Sequence, residues 1–238
     1  METMERDVVR LEESADALIL RIERPPVNAV DLGLARSFQA AVARAGAFPR
    51  NRPLVITGSG TCFSAGLDRK VVPRYGREEQ REMIGIINRI IADLYGLPRP
   101  TIAAVNGHAL AAGLVLVLAC DYRVSTSAPC KLGLPEVNVG IPYPAGPLLI
   151  VREELPPHTA RMLVLAGRTF DPAQALAMGV VDEVVAPERV VPRAIEMAAT
   201  MGAFPAYDRI KVQFRANAIA EMVRIVEEND DPMLQGWI

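Results

Sequence analysis

The sequence predicts an α/β protein made of repeated strand–strand–helix units and finished by a helical tail. Three observations carry this. Short apolar runs with β-branched residues, PLVITG at 53–58 and TIAAV at 101–105, flank a long stretch of helical periodicity. Each run leads into a segment of small residues, FSAGLD at 63–68 and NGHALAAG at 106–113. From about Pro144 onward helical patterns dominate.

Taken in order, Val8–Arg10 and Ala17–Ile22 read as paired strands. Arg24-Pro25-Pro26 forces an extended turn, because proline fixes φ and restrains the residue before it. Asp31 is placed to cap a helix over Leu32–Ala45, with Leu34, Phe38, Ala41, Val42 and Ala45 on one face. PLVITG, short and apolar with a terminal glycine, is a buried strand. Residues 77–95 open on Arg77-Glu78-Glu79 and continue Met83, Ile86, Ile87, Ile90, Ile91 and Leu94, an amphipathic helix. Strand 101–105 feeds the second small-residue segment. The helix at 112–119 is apolar on every side and therefore belongs in the middle of the molecule. Strands at 120–125 and 130–132 precede an irregular segment that holds Glu136. Asp171-Pro172 starts a helix that Gly179 stops. VVDEVV at 180–185 makes a late strand, and helices near 187–201 and 205–228 complete the chain.

Half of the residues are apolar and 23% are charged, which excludes a disordered chain. Net charge is −2 and the 26 basic residues are scattered, so no nucleic-acid partner is expected. Cys62, Cys120 and Cys130 lack metal-type spacing, and no metal site is expected. Cys62 lies beside FSAGLD but reads as a small buried thiol, since neither His108 nor His158 sits in a motif that marks it as a base. Reduced thiols point to a cytoplasmic setting. METMERDVVRL mixes acids and bases without the apolar stretch of a leader. Thr101–Cys120 runs twenty residues without Asp, Glu, Lys or Arg, long enough to span a bilayer. Asn106-Gly107 divides it, however, so strand, loop and buried helix is the reading, with no membrane contact.

The small-residue segments carry the chemistry. Each leaves backbone N–H groups uncovered, and one from each segment can converge on a single oxygen that becomes negative in a transition state. Ala111-Ala112-Gly113 opens the buried helix, where unpaired N–H groups and the positive end of the helix dipole meet an incoming oxygen. Tight helix–sheet packing also selects small residues, but not twice in this arrangement. LGLPEV at 132–137 then supplies one carboxylate, Glu136. A serine-peptidase reading of Ser64 and His108 fails, because Cys62 stands where G-x-S-x-G needs its first glycine.

Phe63, Ala65, Gly66 and Asp68, then Val105, Asn106, Gly107, Ala109 and Ala111-Ala112-Gly113, resemble the two oxyanion loops of the crotonase (enoyl-CoA hydratase/isomerase) superfamily. The resemblance continues through CDYRV at 120–124, LGLPEVNVGI at 132–141, ALAMGVVDEVV at 175–185 and FPAYDRIKVQFR at 204–215. It implies a superhelix of ββα units over residues 1–185 and a helical region over 186–238 that assembles a homotrimer or a dimer of trimers. It implies an acyl-CoA substrate, with coenzyme A entering as part of the thioester and no permanently bound cofactor. The implied oxyanion donors are the N–H groups of Leu67 and Ala112, and the implied acid/base is Glu136.

The same resemblance would line the CoA channel with Arg24, Val27 and Ala29, together with Ser64, Ala65, Gly66, Leu67 and Asp68. It would add Leu110, Ala111, Ala112, Val115, Pro135, Val139 and Tyr143 to the substrate- and CoA-binding residues. Arg24 or Lys211 would meet the CoA phosphates or, equally, be solvated charges; His108 would be a packing residue, and Tyr143, where hydratases commonly carry glycine, would reshape the acyl pocket. One departure bears on the reaction. Family hydratases carry a second glutamate where this chain has Val115. A single base suffices to move a proton from C2 to C4, and the FSAGLD, CDYR and GL-x-E segments look most similar to those of the mitochondrial-type Δ3,Δ2-enoyl-CoA isomerases. Hydratase, thioester hydrolase and non-catalytic acyl-CoA binder are the other readings.

Overall fold

The computed structural model describes residues 8–50, 52–229 and 231–236; residues 1–7, on which most of the leader reading rests, lie outside them. β1 (Val9–Glu13) and β2 (Leu18–Ile22) pair antiparallel, with Val9 opposite Ile22. α1 (Leu32–Ala47) begins where the sequence places it, and its Asp31 cap accepts the Leu34 N–H at 2.9 Å. The chain then repeats one unit: a long strand in the first sheet, a reversal, a short strand in a second sheet, and a helix. β3 (Leu54–Gly58), β4 (Cys62–Ser64) and α2 (Arg77–Tyr95) form the first unit. β5 (Thr101–Val105), β6 (His108–Leu110) and α3 (Ala112–Leu118) form the second, and β7 (Tyr122–Thr126), β8 (Leu132–Gly133) and α4 (Ala145–Glu154) the third. α5 (Pro157–Val164), β9 (Thr169–Phe170), α6 (Pro172–Ala177), β10 (Glu183–Val185), α7 (Val190–Gly202), α8 (Tyr207–Phe214) and α9 (Ala216–Glu228) follow.

The six-stranded sheet runs β1-β2-β3-β5-β7-β10 and is parallel from β2 onward. The second sheet runs β4-β6-β8-β9, with β4, β6 and β8 parallel. The sequence reading put both small-residue segments directly after the long strands. The structure inserts β4 and β6 first, because runs of three residues carry no legible period. Two asparagines tie the reversals. Asn106 accepts the Gly58 N–H at 3.0 Å and donates to Gly60 O at 2.9 Å, and buried Asn28 donates to Cys62 O at 2.7 Å.

Burial alternates along the long strands. Leu18, Leu20, Ile22, Leu54, Ile56, Ala103 and Val105 join the core that holds α1, α2 and α3. Ile19, Val55, Ile102, Ala104 and Val124 face the other way, against Val190, Ala194 and Ala198 of α7. Gly113–Leu118 of α3 are all buried, as their uniform apolarity requires. Among the described residues no helix is long and apolar enough to cross a membrane.

The single helix expected over 205–228 is two, α8 and α9, broken at Arg215. Arg215 turns inward. Its guanidinium sits 2.7 Å from Asp121, 3.1 Å from Glu154 and 3.7 Å above the Tyr95 ring. Lys211 is likewise buried, 2.8 Å from Asp121 and 3.0 Å from Arg99 O. It is therefore held in a core ion pair and is not the solvated charge that the sequence offered as the alternative. Arg123 closes the network on Glu154. Asp121 also accepts the Thr101 N–H at 2.8 Å, so one carboxylate joins the first sheet to α8 and α9.

Removing one member of a buried pair leaves the others uncompensated. Asp121→Asn is expected to cost about 3–5 kcal/mol and to lower Tm by roughly 10 °C in a chain of this size, read by thermal denaturation. An unchanged Tm would show that the network contributes nothing to stability.

Candidate active site

The second sheet positions the site. β4, β6 and β8 are parallel, so all three strands end on the same edge, and each continues into one implied element. β4 leads to Ala65-Gly66-Leu67, β6 to Ala111-Ala112, and β8 to Leu134-Pro135-Glu136. This is the carboxyl end of three parallel strands, where ligands of α/β proteins bind. The two loops touch backbone to backbone. A Cβ on Gly66, which sits at φ +82°, would lie 2.5 Å from the Ala111 Cβ and 3.2 Å from the Ala112 nitrogen. A Cβ on Gly113 would lie 2.4 Å from Ser64 O. Only glycine permits either approach.

The Val30–Leu67 bridge fixes the orientation of the first loop. Val30 N–H donates to Gly66 O and Asp68 N–H to Val30 O, both at 2.8 Å, so the Leu67 N–H faces away from Val30. Ala112 is the first residue of α3 and has no helical acceptor for its N–H. Among the described residues neither N–H has an acceptor. The residue between them carries strain: Ala111 adopts φ +53° and ψ −128°, a conformation that side chains rarely occupy.

A cavity of about 220 Å³ opens beside these groups. Of the residues singled out in the sequence, Ala65, Leu67, Leu110, Ala111, Ala112, Val115, Pro135, Glu136, Val139 and Tyr143 line it. A smaller, wholly apolar chamber of about 40 Å³ adjoins it, sharing Ile87, Ala112, Val115 and Pro147 and reaching Leu34, Phe38, Ile90 and Ile91.

Arg24, Val27, Ala29, Ser64, Gly66 and Asp68 are not on the cavity wall. Arg24 binds Asp31 at 2.7 Å and Asp68 at 2.9 Å and donates to Ala29 O, clamping the first loop to the start of α1. Ser64 is buried, donating to Asn28 O at 2.8 Å. Val27 O accepts the Ala65 N–H at 3.0 Å, with its side chain in solvent. The sequence reading missed Arg69, Ile87, Ile141, Pro142, Pro144, Pro147 and Met233 on the wall. Ile87 was legible only as a core position of α2. Met233 carries no local signal; buried Asp231 seats it by binding Asn88 and the Ala145 N–H.

Glu136 occupies a 3₁₀ turn, Pro135–Val139, in place of the expected irregular loop. Gly140 ends the turn at φ +70°, and Asn138 anchors it to Gly167 O. The Glu136 side chain is buried, and its Oε2 accepts the Tyr143 hydroxyl at 2.8 Å. Burial pushes its pKa above the usual carboxylate range, partly offset by that bond and by its own N–H. Tyr143 was read as shaping the pocket; it also contacts the carboxylate directly. His108 accepts the Lys131 N–H and acts in packing β6. Cys62 is buried, its thiol pushed up to about 11 mainly by desolvation, and it is absent from the cavity wall. Among the described residues no group of three or more His, Cys, Asp or Glu side chains could hold a metal ion.

The loop contact yields a paired expectation. Ala111→Gly relieves a positive φ and is expected to raise stability by about 1 kcal/mol. Gly66→Ala adds both a clash and a strained φ and is expected to lower it by about 3 kcal/mol. Urea midpoints at constant m-value check both, and equal midpoints would show that the loops give way freely.

Comparison with known proteins agrees with this geometry. The sequence profile of the enoyl-CoA hydratase/isomerase family matches residues 12–231. The probable enoyl-CoA hydratase echA17 of Mycobacterium avium is 32% identical over 220 residues, covering 91% of this chain and 85% of that protein. An enoyl-CoA hydratase/isomerase family protein from Pseudomonas syringae superposes with a TM-score of 0.87 at 25% identity, over 98% of this chain and 99% of that one. A Mycobacterium tuberculosis enoyl-CoA isomerase superposes with a TM-score of 0.83 at 27% identity, over 94% of this chain and 97% of that one. The family profile over most of the chain, with these relatives in sequence and in structure, shows that the chain belongs to the enoyl-CoA hydratase/isomerase family, with the crotonase fold.

Proposed function

We propose that this enzyme shifts the double bond of a 3-enoyl-CoA to the 2-position, with Glu136 as its single acid/base. The carrying observation is that, among the described residues, Glu136 is the one carboxylate on the cavity wall, with buried Val115 where the family's hydratases carry a second. Hydration needs water activated and a proton delivered. An isomerase needs one group that takes a proton from C2 and returns it to C4, so that C3=C4 becomes C2=C3. Loss of the C2 proton places negative charge on the thioester oxygen. The Leu67 and Ala112 N–H groups, preorganised and unpaired, are the donors assigned to it, each worth about 3 kcal/mol in the transition state.

The raised pKa suits a carboxyl that must act as base and then as acid. The apolar chamber between α1 and α2 is the assigned place for the acyl tail. Coenzyme A enters only as part of the substrate. The Mycobacterium tuberculosis relative is named an isomerase in one solved structure and a probable hydratase in another, and the Mycobacterium avium relative is named a probable hydratase, so the reading rests on the site's single carboxylate and not on the relatives.

Glu136→Gln keeps shape and removes basicity. It is expected to lower turnover of 3-enoyl-CoA about 10³-fold while CoA-ester binding persists. Wild-type kcat/KM should fall as pH drops through an acid limb above the ordinary glutamate range, since the buried carboxylate must be ionised to accept the proton. Assays of 3-enoyl-CoA and 2-enoyl-CoA side by side decide between the readings. Efficient hydration of the second without conversion of the first would overturn the isomerase reading, and an inert wild type would favour a binding protein. Val115→Glu supplies the missing carboxylate and is expected to introduce measurable 2-enoyl-CoA hydration; none at all would show that a second carboxylate here is insufficient.

A further inference from the structure

We propose that Tyr143 is a positioning residue whose one hydroxyl proton alternates between the Glu136 carboxylate and the Leu134 carbonyl as Glu136 changes protonation state. The inference rests on Glu136 being the acid/base. The geometry is a three-way contact: the Tyr143 oxygen lies 2.8 Å from Glu136 Oε2 and 3.3 Å from Leu134 O. A phenol has one proton to give and lone pairs to accept with, so it serves these two acceptors in turn.

With Glu136 ionised, Tyr143 donates to the carboxylate, the shorter and charge-assisted bond. With Glu136 protonated, the carboxyl donates to the phenol oxygen, and the hydroxyl swings its own proton to Leu134 O. No proton is gained or lost by Tyr143 in either arrangement. A buried carboxyl that lost its partner at each transfer would carry the full cost of an unsatisfied polar group. The tyrosine keeps it bonded in both states and holds its orientation toward the cavity.

The surroundings leave this role to Tyr143. Its own pKa is pushed strongly upward by burial and by the neighbouring Glu136 charge, so it stays a donor and does not compete as a base. Arg69 is on the cavity wall, while His158 and Arg161 of α5, which packs on the Glu136 turn, are exposed. None of the three is hydrogen-bonded to Glu136 or shifts its titration. Tyr143 is the side chain that donates to it.

The test is carbon-13 NMR of the full-length protein labelled at glutamate side-chain carboxyls and leucine carbonyls. The Glu136 signal is assigned by its loss in Glu136→Gln. In wild type the Leu134 carbonyl shift should follow the Glu136 titration. In Tyr143→Phe the Glu136 midpoint and the acid limb of kcat/KM should both rise by about one pH unit, because donation to the ionised form is lost, and the Leu134 signal should cease to titrate. Site-specific ring-fluorinated tyrosine at 143 keeps the shape and strengthens the donor, so it should move the midpoint downward; it carries the test if Tyr143→Phe does not fold. An unchanged Glu136 midpoint, or a Leu134 carbonyl indifferent to it, overturns the inference. The NMR arms use no substrate. If they behave as stated while 3-enoyl-CoA is not turned over, the proton switch stands and the isomerase reading falls.

Discussion

The parallel alignment of β4, β6 and β8 is the constraint on which the rest depends. Three strands of two or three residues each have little stability of their own. They persist because the reversals that precede β4 and β6 are tied by Asn28 and Asn106, and because the first sheet and α3 hold their ends. Parallel pairing puts all three C-termini on one edge, so residues about 70 apart in sequence, Leu67 and Glu136, share one cavity wall. The close approach at Gly66 and Gly113 then fixes the separation of the loops by backbone contact. Contact between backbones leaves little slack, as a preorganised pair of donors requires.

Charge is buried here in two different ways. Around Asp121, each formal charge has an opposite neighbour, although the buried Arg123 Nε lacks a hydrogen-bond partner, and the network welds α8 and α9 to the first sheet. Among the described residues Glu136 has a neutral hydroxyl and a backbone N–H for partners, and its pKa moves upward. A charge-paired network is structural; a buried acid without a counter-charge is poised to exchange its proton. Ala111 shows the same economy in the backbone, since its positive φ falls at the hinge between the second sheet and α3 and the surrounding packing holds it there.

Much of this was legible from particular residues. Asp31 announces α1, the Met83–Leu94 pattern announces α2, and the absence of any polar residue in AGLVLVLA requires α3 to be buried. Ala65, Leu67, Ala111, Ala112 and Glu136 were recognisable as a group because small residues after strands are unusual and their order resembles one family. The partners of Arg24 and Lys211 were hidden for a shared reason: a cation in a sequence shows no partner, and Asp31, Asp68 and Asp121 meet them only through the fold. The break at Arg215 was hidden because α8 and α9 have a continuous helical pattern, interrupted by an attraction to Asp121 and Glu154 across the molecule.

The sequence by itself determined the α/β class, the long elements, the two loops and the lone glutamate, since periodicity, capping and small-residue runs are local properties. Tertiary structure alone decided the second sheet, the wall residues Ile87 and Met233, and the bond between Tyr143 and Glu136. Strands of two or three residues have no period to read. A hydrogen bond across a turn whose backbone path is set by packing depends on where the chain is held, not on which residues stand side by side in it.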